Sequence, residues 1–407
     1  MGIIVQKFGG TSVGSIERIR HVATRVIEEA EKGNQVVVVV SAMGKTTDEL
    51  VDLAKQISLQ PSKREMDMLL STGEQVSIAL LAMALQEKGY KAISLTGWQA
   101  GITTEEMHGN ARIMNIDTVR IRRYLDEGAI VIVAGFQGVT ETGEITTLGR
   151  GGSDTTAVAL AAALKADKCD IYTDVTGVFT TDPRYVKTAR KIKEISYDEM
   201  LELANLGAGV LHPRAVEFAK NYEVLLEVRS SMEKESGTIV KGEVSMEQHL
   251  IVRGIAFEDQ VTRVTVSRIK NSLYALPTIF TALAKRGINV DIIIQSAGNA
   301  DITSVSFSIR TEDLPETLQV LQSLEEANVQ YESGLAKVSI VGSGMISNPG
   351  VAARMFEVLA GENIEIKMVS TSEIKISTVI DEKNMVRAVE ALHEAFGLAE
   401  EAAAVRA

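Results

Sequence analysis

The sequence predicts an α/β protein in which a mainly parallel sheet, over residues 1–245, precedes two smaller α/β units, over 246–335 and 336–407. Three observations carry that prediction. Strand-like apolar runs alternate with helical stretches through the first 230 residues, the texture turns polar and charged over "MEKESGTIVKGEVSMEQHL" (232–250), and the remainder repeats itself.

The elements follow in order. "GIIVQKF" (2–8) reads as a strand, and a helix is expected from about Ser15 to Lys32. "QVVVVVSAMG" (35–44) is so continuously apolar that burial on both faces is expected. "AISLTGW" (92–98), "AIVIVAGFQGV" (129–139) and "KCDIYTDVTGVF" (168–179) repeat the pattern, with helices over Glu74–Lys88 and Asp154–Ala166 between them. Past the polar stretch, "VTRVTV", "TIFTALAKRGINVDIIIQS", "ITSVSFSIR" and "DLPETLQVLQSL" form a strand-helix-strand-strand-helix series, and "AKVSIV", "RMFEVLAGENIEIKMVSTS", "IKISTVI" and "EKNMVRAVEALHEAF" form a second. Aligning Leu283 with Leu359 pairs Ile288 with Ile364 and Val290 with Ile366, so two copies of a ferredoxin-like βαββαβ unit are the natural reading.

Composition excludes several classes. With Lys+Arg 42 against Asp+Glu 54, a net charge of −12, and no basic run, neither a nucleic acid nor an anionic membrane is an expected partner. A single cysteine, Cys169, rules out an intrachain disulfide or a Cys-rich metal site and fits a reducing cytoplasm. No leader pattern and no apolar run of membrane-spanning length is expected, and Gln6 stands where a myristoylation signal wants Ser or Thr.

Chemistry gathers in glycine-rich stretches. In "VQKFGGTSVGS" (5–15) Lys7 precedes Gly9 and Gly10, the reverse of a Walker A loop, and the glycines at a strand's end free backbone N–H groups for an anion. "TTLGRGGSDTTAVALAAAL" (146–164) sets Arg150, Gly151, Gly152, Ser153 and Asp154 before a helix. Arg150 suits a carboxylate or phosphate, and Asp154 is either a site residue or an N-cap. In "YTDVTGVFTTDPR" (172–184), Asp174 and Asp182 suit a ribose or hydrated Mg²⁺ and Arg184 a phosphate; a plain polar loop is the alternative. "STGEQVS" (71–77) places Glu74 in the first turn of the expected helix, where complementing the dipole is the favoured role. His108 and His212 have no partner at ligand or triad spacing and read as structural; no metal site is expected.

Taken in order, "KFGGTS", "VVSAMGKTTDEL", "STGE", "LGRGGSDTTA", "YTDVTGVFTTDPR" and "GAGVLHPRAVEFA", followed by two small units, resemble the aspartokinases across essentially the whole chain, most closely the lysine-regulated Bacillus type. The resemblance implies the amino-acid kinase fold, phosphorylation of the β-carboxylate of L-aspartate with ATP and Mg²⁺, and C-terminal units of the ACT type that bind an amino-acid effector. It implies that Lys7, Phe8, Gly9 and Gly10 handle ATP, Lys7 as principal charge stabiliser, and that Asp154 is a catalytic or organising acid. Ser41, Thr47, Glu74, Arg150 and Ser153, with Gly151 and Gly152, match positions near aspartate, Arg150 on the α-carboxylate and Glu74 on the ammonium; Ser41 counts with the ATP contacts as well. Thr173, Asp174, Phe179, Asp182 and Arg184 match nucleotide positions. Ile288, Asn289, Val290, Asp291 and Gln295, with Asn363, Ile364, Thr371 and Ser372, are the implied effector residues, Asp291 suiting an effector's amino group.

Many relatives carry Lys in "GAKVLHP" where this chain has Gly209. The type also implies either a homo-oligomer or an α2β2 assembly with a shorter subunit started near Met246, ahead of which "KGEVSM" is encodable with a ribosome-binding-like AAGGAG. Lysine, threonine or both remain open as effector. A glutamate- or acetylglutamate-type kinase and a non-catalytic amino-acid sensor are the competing readings.

Overall fold

The computed structural model describes residues 2–207, 209–242, 244, 251–270, 274–296, 302–322 and 328–399; the boundary expected at 245/246, and Met246 with it, lies outside them. The chain forms two compact units, one of residues 1–178, 191–205 and 209–248, the other of 179–190, 206–208 and 249–407.

The first unit begins with β1 (Ile3–Phe8), a helix α1 (Ile16–Ala30) and β2 (Gln35–Val40). Ser15 starts α1 by accepting the N–H of Arg18, a cap worth about 1 kcal/mol. There follow α2 (Thr46–Ile57), α3 (Lys63–Glu87), β3 (Ala92–Leu95), β4 (Ile102–Thr104), β5 (Ile113–Ile116) and α4 (Val119–Asp126). The expected strand over 129–139 is two, β6 (Ile130–Ala134) and β7 (Gln137–Val139), broken at Phe136, whose backbone is left-handed (φ 71°). The unit continues with β8 (Ile145–Thr147), α5 (Gly152–Leu164), β9 (Lys168–Thr173), β10 (Glu194–Ser196), α6 (Tyr197–Asn205), α7 (Pro213–Asn221), β11 (Leu226–Ser230) and β12 (Thr238–Lys241).

Eight of these strands pair in the order β10-β12-β11-β9-β1-β2-β6-β3, parallel throughout except between β11 and β12. A smaller sheet runs β5-β4-β7-β8. Strand side chains alternate faces. Phe8, Val36, Val38, Val40, Ile132 and Tyr172 enter one apolar core with α1 and α3, Phe8 stacking on Tyr172 at 4.4 Å. Their neighbours on the other face, Lys7 among them, look toward α5.

Helix α3 departs from expectation in two ways. It starts eleven residues before Glu74, with Ser62 accepting the N–H of Glu65, so Glu74 lies in mid-helix rather than in a first turn. Gly73 lies where the helix passes the loop after β2: a Cβ there would stand 2.9 Å from the Cβ of Ala42. By length and composition α3 also suffices to cross a membrane, contrary to expectation, although its buried face carries Asp67 and Glu74.

The second unit contains β13 (Gly254–Lys270), α8 (Ala275–Lys285), β14 (Ile293–Ser296), β15 (Ile302–Arg310), α9 (Leu314–Leu321), β16 (Asn328–Val341), α10 (Val351–Gly361), β17 (Met368–Thr371), β18 (Lys375–Asp381) and α11 (Met385–Ala395). Leu283 and Ile288 in one half, and Leu359 and Ile364 in the other, are buried alike, as the repeat requires. The halves are interleaved, however. One sheet runs β14-β15-β13-β16-β18-β17, and β16 spans the expected boundary at 335/336. Its first part completes the first repeat beside β13, while Gly254–Glu258 of β13 pairs with Lys337–Val341 and supplies the strand missing after α11. Two long strands thus join both repeats in one hydrogen-bond ladder and leave no inner edge unpaired. Ion pairs mark the local two-fold: Lys337 faces Glu258 at 2.9 Å, and Arg263 faces Glu332 at 2.6 Å.

His393 of α11 is buried with Nε2 2.9 Å from Thr180 Oγ1, and Thr180 also donates to Leu398 O. Burial, reinforced by the charge of Arg190, pushes its pKa down to about 4. A base depressed by folding contributes stability that is complete above its unfolded pKa, about 6.5, and is lost as pH falls toward 4. Melting temperature should therefore drop over that interval in the native chain and less steeply in His393→Gln; equal slopes would show that His393 stays neutral for no energetic reason of its own.

Candidate functional site

A cleft of about 1010 Å³ opens at the carboxyl ends of the central strands of the first unit. Its floor begins with β1. Lys7, on the α5 side of that strand, reaches Asp154 in the first turn of α5 at 2.6 Å, both side chains being largely buried. This overturns the reading of Asp154 as an N-cap: Gly151 holds the cap position, left-handed at φ 67°, with no side-chain cap. The N-terminal end of α5, with its positive dipole, consequently lies on the cleft beside Lys7.

Glycines permit the close approach. A Cβ at Gly10 would lie 2.8 Å from the Ala42 carbonyl, and one at Gly151 would strike the His212 ring at 2.1 Å. His212 is structural, as expected, its Nδ1 accepting from the N–H of Arg214 at the start of α7.

The opposite wall is α3. Glu74 is 3% exposed and one oxygen accepts the N–H of Ala42 at 3.1 Å; the other is buried without a partner among the described residues. Burial lifts its pKa to about 7, against the pull of its backbone hydrogen bonds. A mid-helix carboxyl buried with one oxygen unpaired does not serve as a first-turn dipole complement. Asp67, two turns earlier on the same face, was missed, as were Phe136 and Thr147, which also line the cleft. His108, expected to be structural, contacts Asp67 through Nδ1 at 2.8 Å. The i, i+7 spacing of Asp67 and Glu74 was the available signal, hidden because α3 was begun too late.

Of the residues expected at a site, Lys7, Ser41, Thr47, Glu74, Arg150, Gly151, Gly152, Ser153 and Asp154 line this cleft together. Phe8 is in the core beneath it, and Gly9 and Gly10 begin the turn above β1. Thr173, Asp174, Phe179, Asp182 and Arg184 do not line it. Thr173 donates to Asp174, while Phe179, Asp182 and Arg184 fall in the segment that packs with the second unit, where Asp182 and Arg184 pair at 2.6 Å. Gly209 is exposed at φ 64°, a backbone that favours glycine over the lysine common in relatives. In the second unit Ile288 and Ile364 are core residues, Asn289, Gln295, Asn363, Thr371 and Ser372 are exposed, and Val290 is half-buried. Asp291 is paired with Lys337.

Among the described residues no group of three His, Cys, Asp or Glu side chains gathers as a metal cage. The arrangement instead suits a dianionic or polyanionic ligand at Lys7 and α5 beside a zwitterion held between Glu74 and Arg150.

Comparison with known proteins agrees. The profile of the amino acid kinase family matches residues 2–230, and that of the ACT domain matches 338–396. An aspartokinase of Geobacillus stearothermophilus is 88% identical over 406 residues, covering 100% of both chains. Aspartokinase III of E. coli, solved with aspartate and ADP in an R-state, is 29% identical with a TM-score of 0.81, covering 97% of this chain and 99% of that one; its complex with lysine and aspartate in a T-state gives 29% and 0.78, covering 96% and 99%.

Glu74 generates a pH test. An ammonium ligand needs the ionised carboxylate, so calorimetric affinity for aspartate should strengthen as pH rises through about 7. In Glu74→Gln that dependence should vanish and affinity fall at least about tenfold, the scale of one charge-assisted hydrogen bond; a retained pH dependence would assign the titration to another group.

Proposed function

We infer what the cleft does from one premise: the chain belongs to the aspartokinases, within the amino acid kinase family. It is an aspartate kinase that transfers the γ-phosphoryl group of ATP to the β-carboxylate of L-aspartate, giving 4-phospho-L-aspartate and ADP, the first step toward lysine, threonine, methionine and diaminopimelate. The observation that carries the reading is the joining of Lys7, Asp154 and the uncapped α5 with a buried, cation-seeking Glu74 in one cleft.

The chemistry asks for little proton handling. A β-carboxylate with a pKa of about 4 is already ionised at neutral pH, so no general base is needed, and catalysis rests on in-line positioning and charge neutralisation. Lys7, fixed by Asp154, stabilises the transferring phosphoryl group; Arg150 takes the α-carboxylate and Glu74 the ammonium. Ser41, Thr47 and Ser153 supply short polar contacts from the same walls. Asp154, the cleft carboxylate beside Lys7, would hold Mg²⁺, which when bound with ATP would neutralise charge on its phosphates. Gly9 and Gly10, with Thr173 and Asp174 at the end of β9, are the nucleotide contacts assigned within the first unit.

The interleaved second unit is the regulatory part, and an amino acid, lysine foremost and threonine alone or with it as alternatives, binds at Ile288–Asp291, Gln295, Asn363, Ile364, Thr371 and Ser372. An effector ammonium at Asp291 would compete with Lys337. The outer strands β14 and β17 suit pairing between copies, whether in a homo-oligomer or in an α2β2 assembly with a subunit begun near Met246. The enzyme is assigned to the cytoplasm.

The test is aspartate-dependent ADP release with MgATP, the acyl phosphate being trapped by hydroxylamine. Aspartyl hydroxamate should form and lysine should suppress it; none from folded, ATP-binding protein would turn the assignment to a glutamate-type acceptor or a sensor. Lys7→Ala should lower kcat at least about 10²-fold, the scale for one preorganised transition-state donor. An unchanged kcat would remove Lys7 from the chemistry.

A further inference from the structure

We propose that Asp67 positions the loop carrying Arg150 and so sets the affinity for aspartate, an inference that rests on the reading of Arg150 as the grip on the substrate's α-carboxylate. Asp67 is 0% exposed. A buried carboxylate is costly unless its lone pairs are met by donors. All the donors that meet it come from outside α3. Thr147 Oγ1 donates to one oxygen at 2.6 Å, His108 Nδ1 to the other at 2.8 Å, and the N–H of Gly109 lies 3.1 and 3.0 Å from the two.

All three of these donors lie close to the glycine-rich loop. Thr147 ends β8, three residues before Arg150, and its carbonyl accepts the N–H of Ala111 at 2.9 Å. His108 and Gly109 belong to the same strap as Ala111, and that strap passes Gly149 so closely that a Cβ there would lie 2.7 Å from Asn110 Oδ1. From the other side Arg214 forks onto the carbonyls of Leu148 at 2.8 Å and Ala111 at 2.7 Å. The backbone that delivers Arg150 is thereby clamped between a carboxylate on a long helix and a guanidinium on α7. Arg150 itself is exposed to the cleft, so the direction of its side chain is inherited from that clamp.

The same helix face carries Glu74 seven residues on. Asp67 therefore references Arg150 to Glu74, fixing the span between the groups assigned to the two ends of the zwitterion. It does so without touching the substrate; it is a positioning residue.

Steady-state kinetics with both substrates test this in Asp67→Asn, which replaces an acceptor oxygen by an NH₂ group, in Thr147→Val, which removes one donor should the first variant fold poorly, and in Arg150→Ala alone and combined with each. The KM for aspartate should rise about tenfold in Asp67→Asn, as for loss of one hydrogen bond to a charged group, while kcat and the KM for ATP stay within about twofold. In the Arg150→Ala background the same substitution should add less than about twofold, because coupled residues are not additive. Equal rises in both KM values, or an undiminished effect without Arg150, would overturn the positioning role. An unchanged KM for aspartate in Arg150→Ala would instead overturn the reading of Arg150, a separate result.

Discussion

A parallel sheet covered by helices on both faces can present polar chemistry freely at one place, the edge where its strands end. The rest of this structure follows from that constraint. The turns after β1, β2 and β6 supply Gly9 and Gly10, Ser41 and Ala42, and Gly135 and Phe136 at the same edge, and α3 and α5 wall it in. Among the strand residues of the eight-stranded sheet, Lys7 alone lines the cleft, and it is half-sunk in the sheet because its alternation places it under α5, where Asp154 meets it. The sheet interior is not wholly apolar: Asp170 and Glu227, paired with Lys168 at 2.9 and 2.6 Å, are buried across β9 and β11, and burial raises Asp170 to about 6.

Close approach, more than secondary-structure propensity, decides the shape of the site. Gly10 on the Ala42 carbonyl, Gly73 on Ala42, Gly135 on Ser153 and Gly151 on His212 are all places where a methyl group would collide. Together they let backbone and helix ends stand where side chains ordinarily would, which gives short, rigid paths for N–H groups and charges. Phe136, left-handed without being glycine, is the strained member of this set, its N–H held by Thr156.

In the second unit the constraint is the ladder. Because β13 and β16 each serve both repeats, neither repeat can shift register without moving the other, and the Glu258–Lys337 and Arg263–Glu332 pairs flank the middle of that shared seam. A ligand near either end thus addresses a joint structure.

The sequence by itself determined the fold class, the doubling of the C-terminal half and most of the cleft, because apolar periodicity and glycine-bearing motifs are local and survive without coordinates. Lys7, Arg150 and Asp154 were legible from spacing, and the family resemblance supplied their expected roles. What the tertiary structure decided was non-local. The start of α3 was hidden because Gly73 serves a packing contact 31 residues away in the chain, and with it went Asp67 and the mid-helix position of Glu74. The strand that completes the second repeat precedes the first, which no linear pattern can express, since hydrogen-bond partners in a sheet are chosen by space and not by order. Glu74 acquires its raised pKa in the same way: its carboxyl is read from the sequence, but the desolvation that raises it exists only once α3 has packed against the loop carrying Ala42.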